Sequence, residues 1–236
     1  MSIFRHGTNG ASLPRRGGFN LPGLLVPPVW HDGTSRKKEA PIMANTNAPF
    51  GFRQYSGTGS APTYEQVAVQ IAYNATNIFF GDPVEPDATG TVSQGDGTTA
   101  AAGIAGIFVG CQYLSVSQKR TVWSNYWPGS DVASTNVVTG YIINDPNAKF
   151  LVQSDATGVA QTDVNGTVGY TIGSGNTANG ISAAYISSIG PTTATLPFRI
   201  VGLVTSPPGS TGTEAGAYNW VIVSFNNVTT RNLTGI

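Results

Sequence analysis

Gly103-Ile104-Ala105-Gly106-Ile107-Phe108-Val109-Gly110-Cys111-Gln112-Tyr113 is the densest apolar run in the chain. It is far shorter than the roughly 20 apolar residues of a membrane-spanning helix. Its β-branched and aromatic side chains, bounded by glycine, read as a strand buried on both faces, over residues 104–113. Gln118-Lys119-Arg120-Thr121-Val122-Trp123 follows as its continuation or partner, and Tyr126-Trp127-Pro128-Gly129 closes the region. The stretch holds the single cysteine and two of the four tryptophans. Inside an apolar run a free thiol packs as a small hydrophobe, so Cys111 is expected in the core.

Working outward, strand-sized pieces recur between turn signals. Residues 64–73 alternate, with Val67, Val69, Ile71 and Tyr73 on one face. Ile78-Phe79-Phe80 is a short apolar strand stopped at Gly81-Asp82-Pro83. Residues 85–102 read as a loop with a tight turn at Gly95-Asp96-Gly97. Strands follow at 137–143 and from 149 to 153. Asp155-Ala156-Thr157-Gly158 reads as a hairpin turn joining 150–153 to 159–161. Asn165-Gly166 is the strongest short hairpin signal, because both central residues of a type I′ turn need positive φ. Residues 173–180 read as a polar loop before a strand at 181–186. A final pair, 198–204 and 218–225, flanks a Pro-Pro-Gly-rich connection. Gly and Pro make up 45 of 236 residues, beside much Thr, Ser and Asn, a mixture that disfavours helices. The expectation is all-β: a sandwich or barrel of roughly ten to twelve short antiparallel strands over residues 50–236.

Residues 1–49 have a different character. Six prolines recur among glycines, and the apolar groups never establish a period. Such a segment buries too little surface to offset its own ordering entropy. It is expected to be an extended N-terminal arm that docks on a partner through Phe19, Leu25 and Trp30. Met43-Ala44-Asn45 offers a second translation start. The first residues lack an apolar stretch after the charge, so no secretory signal is expected. The formal net charge of zero conceals an asymmetry: residues 1–49 carry +4 and residues 50–236 carry −4. A basic arm on an acidic body suggests pairing between molecules. Arg15, Arg16, Arg36, Lys37 and Lys38 are the arm's candidate contacts, but charges this scattered make too weak a footprint for a nucleic-acid partner.

The chemistry-bearing residues are sparse. Both histidines, His6 and His31, lie in the arm, leaving residues 50–236 without one for a Ser-His-Asp or Cys-His arrangement. Asp82, Glu85 and Asp87 cluster without the ligand register of a calcium loop. Asp131, Asp145, Asp155 and Asp163 sit where aspartate is favoured for turns. Glycine runs match no phosphate-binding loop. No enzymatic activity, cofactor or metal is expected. Lys119, Arg120, Trp123, Tyr126 and Trp127 form a cationic and aromatic strand end that suits a contact surface.

Four segments carry a resemblance: residues 43–52, 106–111, Val122-Trp123-Ser124-Asn125-Tyr126-Trp127-Pro128-Gly129, and Asn144-Asp145-Pro146-Asn147-Ala148-Lys149-Phe150. Together they resemble virion structural proteins from the head-gene region of tailed bacteriophages, over about residues 43–228. The resemblance implies a capsid cement, or decoration, protein. Such a protein is a small β-domain, often trimeric, that binds the outside of the major capsid protein lattice and clamps neighbouring subunits. The alternative is a tail fibre or adhesin domain with Trp123, Tyr126 and Trp127 as a sugar platform. A major capsid protein is disfavoured, since no long helix is evident.

Overall fold

A computed structural model of the chain describes residues 45–57, 66–97, 103–190, 195–204 and 215–231. The arm candidates Arg15, Arg16, Phe19, Leu25, Trp30, Arg36, Lys37 and Lys38 lie outside these residues, as do His6, His31 and Met43. The described chain is all-β, with twelve strands and two single 3-10 turns, Gln161–Asp163 and Thr229–Arg231. The first six strands are β1 (Arg53–Ser56), β2 (Val67–Ile71), β3 (Pro83–Pro86), β4 (Val92–Gln94), β5 (Gly106–Ser115) and β6 (Arg120–Ser124). The second six are β7 (Val138–Ile143), β8 (Lys149–Gln153), β9 (Thr167–Asn176), β10 (Ile181–Gly190), β11 (Phe198–Leu203) and β12 (Trp220–Phe225).

They form two six-stranded sheets. One runs β1-β8-β12-β11-β9-β10 and is curved and open. The other runs β3-β4-β2-β7-β5-β6, and an additional β3–β5 pairing closes five of its strands into a small barrel. Among the described residues, neighbouring strands within each sheet pair antiparallel except at the β2–β4 contact, Ile71 with Val92. The long strand β5 makes closure possible by sharing one edge between two partners. Its start pairs with β3 at Pro83↔Ile107, and its end pairs with β6 from Cys111 to Ser115.

The double burial expected of residues 104–113 has a simple geometric cause. Ile104 and Ile107 belong to the core under the open sheet, with Phe150, Phe198 and Phe225. Ala105, Phe108, Cys111 and Tyr113 fill the barrel. On the neighbouring strand β7, Ile143 faces the first core and Ile142 the second. A bulge between Phe108 and Gly110 sets the parity. The extra residue lets Phe108, Cys111 and Tyr113 all face the barrel, whereas strict alternation would turn the last two outward. Glycine suits the bulge: Gly110 has φ +153°, and a Cβ there would lie 3.0 Å from the Ser124 carbonyl oxygen.

Several local expectations are corrected. Residues 85–102 are not simply a loop, because β3 and β4 pair from Val84↔Gln94 to Pro86↔Val92. The Asp155 turn forms, with Gly158 N–H on the Asp155 carbonyl at 3.2 Å, but it joins no hairpin. β8 pairs with β1 and β12 instead, while buried Asn219 accepts from the Val159 N–H and donates to its carbonyl. At Asn165-Gly166 only Asn165 has positive φ, +74°, and the pair leads from the 3-10 turn into β9 rather than linking two strands. The loop expected at 173–180 is strand in its first half and turn in its second: β9 runs to Asn176 and pairs with β10 from Gly190↔Thr167 to Ile181↔Asn176. Tyr73 lies beyond the end of β2 and is exposed. The final pair is present as β11 and β12.

Candidate functional site

The outer face of the barrel follows from register alone. Residues directly opposite one another on paired strands point the same way. Gln112 sits between Trp123 on β6 and Thr139 on β7, and Leu114 lies opposite Thr121. Tyr141, two residues beyond Thr139, lies opposite Ala68 on β2 and Gly110 on β5. Because Phe108, Cys111 and Tyr113 take the barrel interior, this second set faces outward. No strand position in it bears a charge. Leu114, Val116, Trp123 and Val137 are four of the six large apolar residues exposed among those described.

Trp123, 66% exposed, is the centre of this face. Its ring stacks on Tyr141 at 5.7 Å between centroids and 12° between planes. The Tyr141 hydroxyl donates to Gln112 Oε1 at 3.2 Å, which fixes the phenol side of the pair. Beside the rings a groove of about 490 Å³ is lined by Gln66, Gly110, Trp123, Ser124, Asn125 and Tyr141, among others. Cys111 lies at its base but is fully buried, with Sγ 3.4 Å from the Tyr126 carbonyl oxygen. Burial pushes its thiol up to about 12, so the expected core role fits its surroundings.

The aromatic cluster read from the sequence separates into three environments. Trp127 is 0% exposed and belongs to the barrel core, with its indole N–H on the Ala75 carbonyl at 3.3 Å. It packs edge-on against Tyr113. Tyr126 is half-buried and stacks on Phe79 at 5.5 Å. Trp127 therefore cannot serve as a surface platform, and Tyr126 is largely spent on Phe79; the exposed pair is Trp123 with Tyr141. Lys119, at φ +53°, and Arg120 are exposed at the β5–β6 turn. Arg120 donates to Gln118 Oε1 through Nε and one terminal nitrogen. Asp131 braces the same turn, accepting from the Ser115 hydroxyl and from the Ser117 N–H at 2.8 Å. The Ser115 hydrogen bond, helped by that N–H, holds its carboxyl below the ordinary range.

The carboxylates at 82–87 diverge. Asp82 is fully buried and accepts from the Phe79 N–H, the Gln94 amide and the Ser182 hydroxyl. It thus ties the barrel to β10 of the open sheet. Glu85 accepts from the Tyr170 hydroxyl at 2.6 Å, a second link between sheets. Burial, together with that bond to Glu85, raises the Tyr170 phenol. Asp87 accepts the Thr89 N–H within its own turn. Among the described residues no three His, Cys, Asp or Glu side chains converge as metal ligands.

Tyr141, Gln66, Gln112 and Leu114 were not singled out from sequence, although Thr139 and Tyr141 alternate with inward residues and carry the signal. No family model, curated protein or solved structure matches the chain.

Proposed function

We propose that this chain is a structural binding module of a tailed-phage head. In this reading it is a cement protein that docks on the outside of the major capsid protein lattice, with the arm reaching neighbouring subunits. The observation that carries the reading is the uncharged outer barrel face centred on Trp123, with Leu114 and Val137 beside it. Charge-depleted faces with aromatic anchors are typical of interface centres. Support also comes from the resemblance over residues 43–228 and from the opposite charges of arm and body, which suit contacts between molecules. An arm that wraps a neighbour adds affinity through effective concentration.

The test is co-sedimentation with expanded heads of the encoding phage. Trp123→Ala should lower occupancy at least tenfold, the scale of an interface hot spot. Removing residues 1–42 should lower it while the remaining protein still folds. Full occupancy by both altered proteins would reject the reading. Copy number bears on the same question, with hundreds per virion expected for cement and a dozen or fewer for a tail component. Self-association as a trimer belongs to the proposal and is measured by sedimentation velocity.

The groove beside Trp123 and Tyr141 favours one second reading, a tail adhesin. Exposed ring faces flanked by amides and free of charge suit the CH faces and hydroxyls of a neutral sugar. Glycan-array binding lost in Trp123→Ala, with virion labelling at the tail, would support it over the capsid reading.

A further inference from the structure

Three of the six basic residues in 50–236, Lys149, Arg199 and Arg231, line one small pocket on the open sheet. Lys149 on β8 lies opposite Ser224 on β12, and Ser224 lies opposite Arg199 on β11. Cross-strand neighbours of this kind are about 5 Å apart, so a hydroxyl stands between two cationic side chains. Phe150, Val223, Phe198 and Ile200 alternate with them and are buried, which turns Lys149, Ser224 and Arg199 to the outer face. Arg231, from the 3-10 turn after β12, closes one side. Its guanidinium is pinned by the Phe225 carbonyl at 3.1 Å and the Pro146 carbonyl at 2.7 Å. Asn147 also lines this pocket of about 240 Å³, as does Asn226, whose amide donates to the Leu196 carbonyl at 2.8 Å.

We propose that this pocket binds a phosphate dianion, either free or as a monoester. No carboxylate lines it. Asp145, close in sequence, accepts the Asn147 N–H at 2.9 Å and is not part of the lining. Residues 50–236 carry ten acids against six bases. Random placement in such a body would put acids among the bases, yet half the bases share one acid-free hollow. Their mutual repulsion is relieved by a bound anion. Three cations match a doubly charged group better than a single carboxylate, and the Arg199 guanidinium fork suits the oxygens of a phosphate. Ser224 and Asn147 supply neutral donors between them. The site lies on the other sheet from Trp123 and does not depend on the capsid reading.

The test uses the full chain near pH 7.5, where a phosphate monoester, with its second pKa of about 6, is a dianion and inorganic phosphate is mostly one. Amide NMR spectra are followed on titration with inorganic phosphate, with glucose 6-phosphate and with acetate, at constant ionic strength. Saturable shifts at Lys149, Arg199 and Ser224 are expected with the phosphates and not with acetate. Tighter binding of glucose 6-phosphate would identify a monoester as the ligand, and tighter binding of inorganic phosphate would identify the free ion. Lys149→Gln and Arg199→Gln should each weaken binding about tenfold, as loss of a hydrogen bond to a charged group does. Arg199→Lys should keep more affinity than Arg199→Gln, and Lys119→Gln should change nothing. Spectra without ligand show that each variant is folded. Shifts that fail to saturate, equal shifts with acetate, or undiminished affinity in both glutamine variants would overturn the proposal.

Discussion

Burial raises the Asp82 carboxyl above its ordinary range, even though the Ser182 hydroxyl, the Phe79 N–H and the Gln94 amide all favour its charged form. Asp82→Ala would orphan these three donors, and at about 1 kcal/mol or more each the loss should reach about 3 kcal/mol in urea denaturation. Asp82→Asn keeps an acceptor and should cost less. The sign of the pH effect follows from the raised native pKa. Asp82's contribution is complete below the unfolded-chain value and declines as pH rises through the native one. The wild-type urea midpoint should therefore fall relative to that of Asp82→Asn as pH rises, narrowing the gap between them. The two tryptophans make a second contrast. Trp127→Ala empties a core position and should cost about 3–5 kcal/mol. Trp123→Ala removes an exposed stack and should cost about 1 kcal/mol or less by the same measurement. Cys111, buried with a raised thiol, should react with a disulfide reagent near pH 8 only as fast as the protein opens.

At the scale of elements, Gly110 links the bulge to the exposed face. Gly110→Ala forces a side chain into a backbone region that favours glycine and against the Ser124 carbonyl. A loss of about 1–3 kcal/mol is expected, with faster hydrogen exchange across the β5–β6 amides. The same region shows what the sequence could tell. The strong apolar run at residues 104–113 was legible because two buried faces leave few polar positions. The β3–β4 hairpin was not, because prolines at both ends of β3 and the acids around it have the composition of a loop. Asp155 to Gly158 carries a correct local turn signal, but Asn219, some 60 residues later, decides what Val159 joins. Trp127 and Trp123 look alike in sequence. The register of β5 with β6 puts Trp123 outside, whereas pairing with Ile78, some 50 residues earlier, carries Trp127 inside.

For the whole molecule, the two cores are not independent. β5 and β7 contribute to both, and Asp82 and Glu85 cross between the sheets. Loss of either core removes one wall of the other, so unfolding of the body should be a single transition. Far-UV circular dichroism and tryptophan fluorescence should give coincident urea curves. Two separate steps would show that barrel and open sheet fold apart.

Gln153 sits where the chain enters the body. Its amide donates to the Thr46 and Tyr218 carbonyls and accepts from the Ala48 N–H, while the Asn45 amide donates to the Ala217 carbonyl. β8, which carries Gln153, lies between β1 and β12 rather than at an edge. Tension on the preceding segment is therefore delivered to an interior strand of the sheet through several bonds loaded together. The body is gripped at a seam that must shear across neighbouring strands, and it does not peel from its rim.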